Sequence, residues 1–387
     1  MEKYCDENDL ILNTHHKTKY MTFNETGRLI RTNICFQIIK VETVRSFKYL
    51  EFLITPSGEI KSGLDDLRLR AMKAFFKLKR SLGTSFHTHI DTTLHLLDTL
   101  IKPILLYASD FWGGLKPPQD NPIEKFHRMA CRYILGVQKY TTNIGVLLEL
   151  GRIPMQIFAV KAAVKNWERI RLGNANVNLL KSHKDSVDED LPWINNIKHI
   201  LDTNGMTWAH ANQYDDKLPF IHKKLFQNLT DSFHQEAFST IQNPASKLRT
   251  YGLLKKERGT EKYLYELKNP NNRRSLTKFR LSNHVLNIEK GRHVKLKKGD
   301  KDHTPHQRCP FCPNKIESEI HFLISCPAYN LRRNVLFASA KTEHPPFEYY
   351  TETEKFQYLM SEEKSRLTSK FVVDLFDARK KLLEQEI

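Results

Sequence analysis

The sequence has 387 residues, 40% hydrophobic and 27% charged, which suits two or three globular domains. Lys and Arg number 61 against 44 Asp and Glu, and this net charge of +17 favours polyanions, nucleic acid before an anionic membrane surface. The most apolar stretch, Leu96 to Trp112, holds Asp98, Lys102, Pro103 and Asp110, so no membrane span is expected, and the acidic start M-E-K-Y-C-D-E-N-D-L is no secretory leader.

In chain order, Glu2 to Leu12 predicts a helix and Asn13 to His16 a turn, with His15 and His16 read as solvent-exposed. Lys17 to Phe23, Ile34 to Lys40 and Phe47 to Thr55 predict three short strands, closed by Pro56-Ser57-Gly58. Such a piece cannot bury both faces alone and calls for a larger sheet partner. From Lys61 the pattern turns helical, with Leu64, Leu67, Ala71, Phe75, Leu78 and Leu82 on one stripe. A helix over Ile90 to Tyr107 should kink at Pro103. Asn121, Pro122 and Glu124 predict a capped start to a helix ending before Gly136, with Ile123, Phe126, Ala130 and Ile134 inward. Pro154 to Leu172 predicts another, with Phe158, Ala162 and Trp167 inward. Asn174 to Leu191 reads as a polar linker. Helices follow over Trp193 to Asp202, Leu218 to Thr240 and Ser246 to Glu266, the last interrupted by Gly252 and Gly259. Asn269 to Asn272 is a break.

The most specific signal lies beyond it. Cys309, Cys312, His321 and Cys326 have the spacing Cys-x2-Cys-x8-His-x4-Cys, while the other cysteines, Cys5, Cys35 and Cys131, are scattered. Zn²⁺ takes four tetrahedral sulfur and nitrogen ligands, and a Cys3His set is a closed structural site. His303 and His306 could compete with His321, but Phe322, Leu323 and Ile324 give His321 a local core. Pro327 should hold Cys326 out of helical geometry and turn its thiolate toward the site. A C2H2 finger would need about twelve residues between the ligand pairs. Metal-like cysteine spacing suits a reducing compartment, so an intracellular protein of nucleus or cytoplasm is expected.

Next to this cluster, Arg273 to Arg308 is the most basic segment. Its candidate phosphate contacts are Arg273, Arg274, Lys278, Arg280, His284, Arg292, Lys295, Lys297 and Lys298. On a helix Arg273, Thr277, Arg280 and His284 share one face, with Leu276, Phe279 and Leu286 beside it, so one side could dock on the zinc lobe and the other meet phosphates. A solvated basic face is the competing reading. No glycine-rich phosphate loop, nucleophile triad or carboxylate pair points to a small-molecule substrate.

These segments resemble, in order, the C-terminal portion of a non-LTR (LINE-type) retrotransposon reverse transcriptase polyprotein. E-K-Y-C-D-E-N-D-L-I-L-N with K-T-K-Y-M-T-F resembles the palm after the catalytic aspartates, and F-K-Y-L-E-F-L-I-T-P-S-G-E-I the hairpin near the primer terminus. A-M-K-A-F-F-K-L and K-P-I-L-L-Y-A-S-D-F-W-G resemble the thumb region, H-R-M-A-C-R-Y-I-L-G and L-L-E-L-G-R-I-P the helical region beyond. R-L-S-N-H-V-L-N-I-E-K-G-R-H, leading into the cysteine cluster and P-A-Y-N-L-R-R, resembles the C-terminal zinc module. Glu51 departs from the glycine usual there, and the catalytic aspartate pair is missing. Asp65-Asp66 sits in a helical pattern and reads as a solvated face, not as a metal site.

The resemblance implies a mainly α chain. A residual palm β-element (1–58) leads to thumb-like helices (59–115), a helical region (116–268), a basic zinc-binding module (269–340) and a helical tail (341–387). It further implies a nucleic-acid-binding fragment, from a truncated element copy or a partial gene, with Zn²⁺ as cofactor and no polymerase activity. The rival expectation is a host-adopted zinc-module adaptor for nucleic acid or protein.

Overall fold

A computed structural model of the chain describes residues 2–9, 18–24, 26–30, 33–36, 39–211, 220–296 and 302–385. Helices predominate, and the chain divides into two compact units. The first comprises Met1–Leu78, Leu97–Phe126 and Met155–Asn228; the second comprises Lys79–Leu96, His127–Pro154 and Leu229–Ile387. No helix among the described residues is long and apolar enough to cross a membrane.

In the first unit the expected strands shrink to separate two-stranded pairs. Lys19–Tyr20 runs parallel to Glu42–Thr43, Cys35–Phe36 antiparallel to Ile39–Lys40, and Phe47–Tyr49 forms a hairpin with Phe52–Ile54. The predicted helix reaches only Glu2–Glu7 among the described residues, and His15, His16 and Lys17 lie outside them. Tyr49 pairs with Phe52, so Leu50 and Glu51 alone make the hairpin turn, both at positive φ (43° and 64°). Two-residue hairpin turns need that conformation, and it suits glycine best. Arg70 donates to the Glu51 carbonyl at 2.7 Å, holding the turn against the next helix. That helix, Lys61–Leu82, buries Leu64, Leu67, Ala71 and Phe75 as its stripe predicts. Asp65 pairs with Arg68 at 3.3 Å; Asp66 pairs with Arg70 at 3.0 Å and Lys48 at 3.4 Å.

The helix expected over Ile90 to Tyr107 changes pitch just before Pro103. Ile90–Leu96 passes into a π-helical turn, Leu97–Ile101, before Lys102–Leu105. Proline has no N–H for the α-helical ladder, and the wider turn takes up the mismatch. The helix Pro122–Leu135 starts on Asn121, whose Oδ1 accepts from Ile123 N–H at 3.0 Å. The Glu124 carboxylate accepts from Gln156 N–H at 2.7 Å, at the start of Met155–Arg171. Trp167 is buried as expected, but Ala159 and Ala163 take the inner positions expected of Phe158 and Ala162. The polar stretch read as a linker is helical over Val177–Asp188, capped by Asn176 and burying none of its residues.

In the second unit Ser246 to Glu266 leaves only Tyr251–Leu254 and Tyr263–Glu266; Gly259 falls in the break between them as expected, whereas Gly252 lies within the first helical turn. A Cβ at Gly252 would stand 2.2 Å from the Ile241 carbonyl oxygen, so only glycine fits. Asn269 proves to be the cap of Pro270–Arg280, accepting from Asn271 and Asn272 N–H at 2.9 and 3.2 Å. The tail helices Glu352–Leu359 and Ser365–Gln385 complete the unit, the first on a capping box of Thr351 and Glu354.

Candidate metal centre and basic surface

Cys309 and Cys312 pair across a small antiparallel hairpin, Arg308–Cys309 with Cys312–Ile316. His321–Ser325 forms a π-helical turn, and Cys326 leaves it extended (φ −63°, ψ 121°) before Pro327. Proline disfavours helical geometry in the residue before it. The Cys326 N–H reaches back to the His321 carbonyl at 2.8 Å, which turns its thiol toward the hairpin.

The four ligand atoms lie within 4.8 Å of one another, so the cluster can hold a metal ion. The Cys326 sulfur is 3.8 Å from that of Cys309 and 3.9 Å from that of Cys312. Four ligands around Zn²⁺ at about 2.3 Å would set their sulfurs about 3.8 Å apart, whereas a disulfide would need about 2.05 Å. His321 is buried; its Nδ1 meets Ser325 Oγ at 3.3 Å, while Nε2 has no hydrogen-bond partner. A buried nitrogen with an idle lone pair is costly unless something coordinates it. Ser325 Oγ in turn donates to Glu352 at 3.2 Å, so the imidazole is oriented from its far side. Its hydrogen bond with Cys326, then burial, push the Cys309 thiol up to about 12, and burial raises Cys312. The Cys309–Cys326 bond lowers Cys326. Three thiols so crowded give up their protons together only to a cation. His303 and His306 stand outside the cluster; His303 Nδ1 meets the Gly291 carbonyl oxygen at 3.0 Å.

Three anchors hold this lobe. Arg333, 3% exposed, donates to the carbonyls of Leu323 at 3.0 Å and Cys326 at 2.8 Å. Glu317 takes a bidentate grip from Arg379 at 2.6 and 2.7 Å. Glu319, fully buried, accepts from Arg249 at 2.9 Å, Ser282 Oγ at 2.8 Å and His284 Nε2 at 3.0 Å. Burial opposes its charge, yet the His284 bond and the nearby His284 and Arg249 charges bring its carboxyl down to about 2. Phe322 packs against Phe376 and Phe279, with ring centroids 4.9 and 6.2 Å away.

The basic helix docks on the lobe as its pattern suggests, but the shared cationic face points inward, which corrects the expected phosphate role of that face. Arg280 is 4% exposed, bound to Glu149 at 2.8 Å and also to Glu261. Arg273 donates to the Leu267 carbonyl at 2.6 Å and is equally buried. His284 is occupied by Glu319. Both charges are compensated inside, Arg280 by two carboxylates and Arg273 by the carbonyl oxygens of Leu267 and Thr88. Arg274, Lys278 and Arg292 are half-buried and Lys295 is exposed, while Lys297 and Lys298 lie outside the described residues.

Sequence reasoning missed Lys79, Arg132 and Lys139, which share one concavity with Arg274 and Lys278. No local pattern marks them, because three separate segments bring them together. It also missed Glu317 and Glu319, although E-S-E between Ile316 and Ile320 alternates like a half-buried strand. No family model matches the chain, nor does any curated protein or solved structure.

Proposed function

We propose that the chain is a nucleic-acid-binding protein of the LINE-type reverse transcriptase lineage, corresponding to its C-terminal part and lacking polymerase activity. Zn²⁺ held by Cys309, Cys312, His321 and Cys326 supplies a structural cross-link that ties hairpin, turn and following helix together. The observation that carries the reading is the cation-rich surface around Arg274 and Lys278 on the unit that holds the cysteine cluster. Asp65 and Asp66, engaged with lysine and arginine side chains, leave no carboxylate pair for two catalytic metals there.

The test is titration of the purified chain with labelled RNA and DNA over a range of salt, beside primer extension with Mg²⁺ or Mn²⁺. Binding that falls steeply with salt, without extension, is expected. Salt-independent binding or extension of the primer would overturn the reading. The adaptor reading rests on one observation: Leu331 and Val335, one turn apart on Asn330–Glu343, are 87% and 75% exposed. Folded, metal-loaded protein that binds no nucleic acid would leave that reading in place.

A further inference from the structure

The second unit carries a concavity of about 490 Å³ lined by Lys79, Arg132, Lys139, Arg274 and Lys278, with no carboxylate among its lining residues. None of these five has an ion-pair partner among the described residues. Arg132 is steadied by the Thr141 carbonyl at 2.8 Å, and Lys79 lies 4.7 Å over the Tyr133 ring. The cations are held close enough to oppose one another: burial and then Arg274 lower Lys278, and burial, Arg274 and Lys79 lower His87. Uncompensated like charge costs stability unless an anion arrives to relieve it.

Lys278 also lines a second concavity, of about 810 Å³, whose rim holds Tyr140, 60% exposed. Lys247 Nζ stands 5.8 Å over the Tyr140 ring, which adds a cation beside it. A cationic groove leading to an exposed aromatic ring is the arrangement that grips single strands, with phosphates on the cations and a base stacked on the ring. Base readout in a duplex takes a helix or ribbon inserted in its groove, whereas an unpaired base can stack directly on an exposed ring.

We propose that these two concavities form one track for a single nucleic-acid strand, its phosphates on Lys79, Arg132, Lys139, Arg274 and Lys278 and a base on Tyr140. This rests on the nucleic-acid-binding reading above and names both the site and the form of the ligand.

The experiment uses the full, metal-loaded chain and a labelled single-stranded 15-mer, with the matching duplex, by fluorescence anisotropy across salt. Lys79→Ala/Arg274→Ala should reduce the log–log salt slope by about 1.4, at roughly 0.7 per phosphate contact. Tyr140→Leu should weaken binding roughly five- to hundred-fold while leaving the slope unchanged. All variants should keep the wild-type melting temperature, since the replaced side chains are not fully buried. Wild-type binding that both variants leave untouched would overturn the track and spare the broader reading. Tighter binding of the duplex than of the single strand would overturn the assigned ligand. Wild-type protein that binds neither would overturn both.

Discussion

Arg280→Ala separates a structural cation from a ligand-binding one. The side chain is 4% exposed and the Glu149 carboxylate it meets is 0% exposed. After substitution Glu149 keeps only neutral partners, such as the Tyr263 hydroxyl, for a charge buried in the protein. Removing one member of a buried ion pair costs about 3–5 kcal/mol. In a unit of this size each kcal/mol moves the melting temperature by about 2–4 °C, so a fall of roughly 6–20 °C is expected. Calorimetry measures this, with an anisotropy titration run on the folded variant below its transition. Arg280→Met combined with Glu149→Gln should recover most of the loss, because no bare charge then remains. A variant that melts like the wild type but binds oligonucleotide weakly would refute the reasoning and return Arg280 to the ligand surface.

Three further outcomes follow from particular contacts. Glu319 stands at about 2 against an ordinary 4.5, a depressed carboxyl, so its contribution is complete above about pH 4.5 and drains as pH falls toward 2. The loss amounts to about 3 kcal/mol, readable as a falling urea midpoint that Glu319→Gln should flatten; an unflattened curve would assign the acid sensitivity elsewhere. Chelation should raise hydrogen exchange from about residue 302 to 335, with Cys312→Ser mimicking it and His303→Ala or His306→Ala not; one zinc retained in Cys309→Ser/Cys312→Ser would place the metal at other ligands. Glu51→Gly should stabilise the first unit by about 1 kcal/mol by relieving positive φ, and a lower urea midpoint would show that the side chain contributes more than the turn costs.

The helical class, the stripe on Lys61–Leu82 and the metal cluster were legible because each is carried by spacing within one segment. The inward turn of Arg273 and Arg280 was not, since a basic helix looks alike whether its cations meet water, backbone carbonyls or carboxylates of other segments. Glu149 lies in a run, L-L-E-L, that reads as apolar; its burial becomes intelligible only beside Arg280. The polar stretch Val177–Asp188 misled in the opposite direction. It lacks a core face, yet Asn176 caps it, accepting from Leu179 N–H at 2.8 Å, and local chemistry was enough for a helix.

The eight residues between Cys312 and His321 carry two carboxylates satisfied from outside the lobe, by Arg379 near the C-terminus and Arg249 sixty residues upstream of the first cysteine. A zinc finger of the usual kind can be cut out, repeated in tandem or grafted to a new host, because its metal and a few apolar residues are all it needs. This lobe is not portable in that sense. Transplanted alone it would expose Glu317 and Glu319, shaped for guanidinium groups left behind. Any transfer of the lobe that keeps both ion pairs has to move residues 249 to 379 as a block.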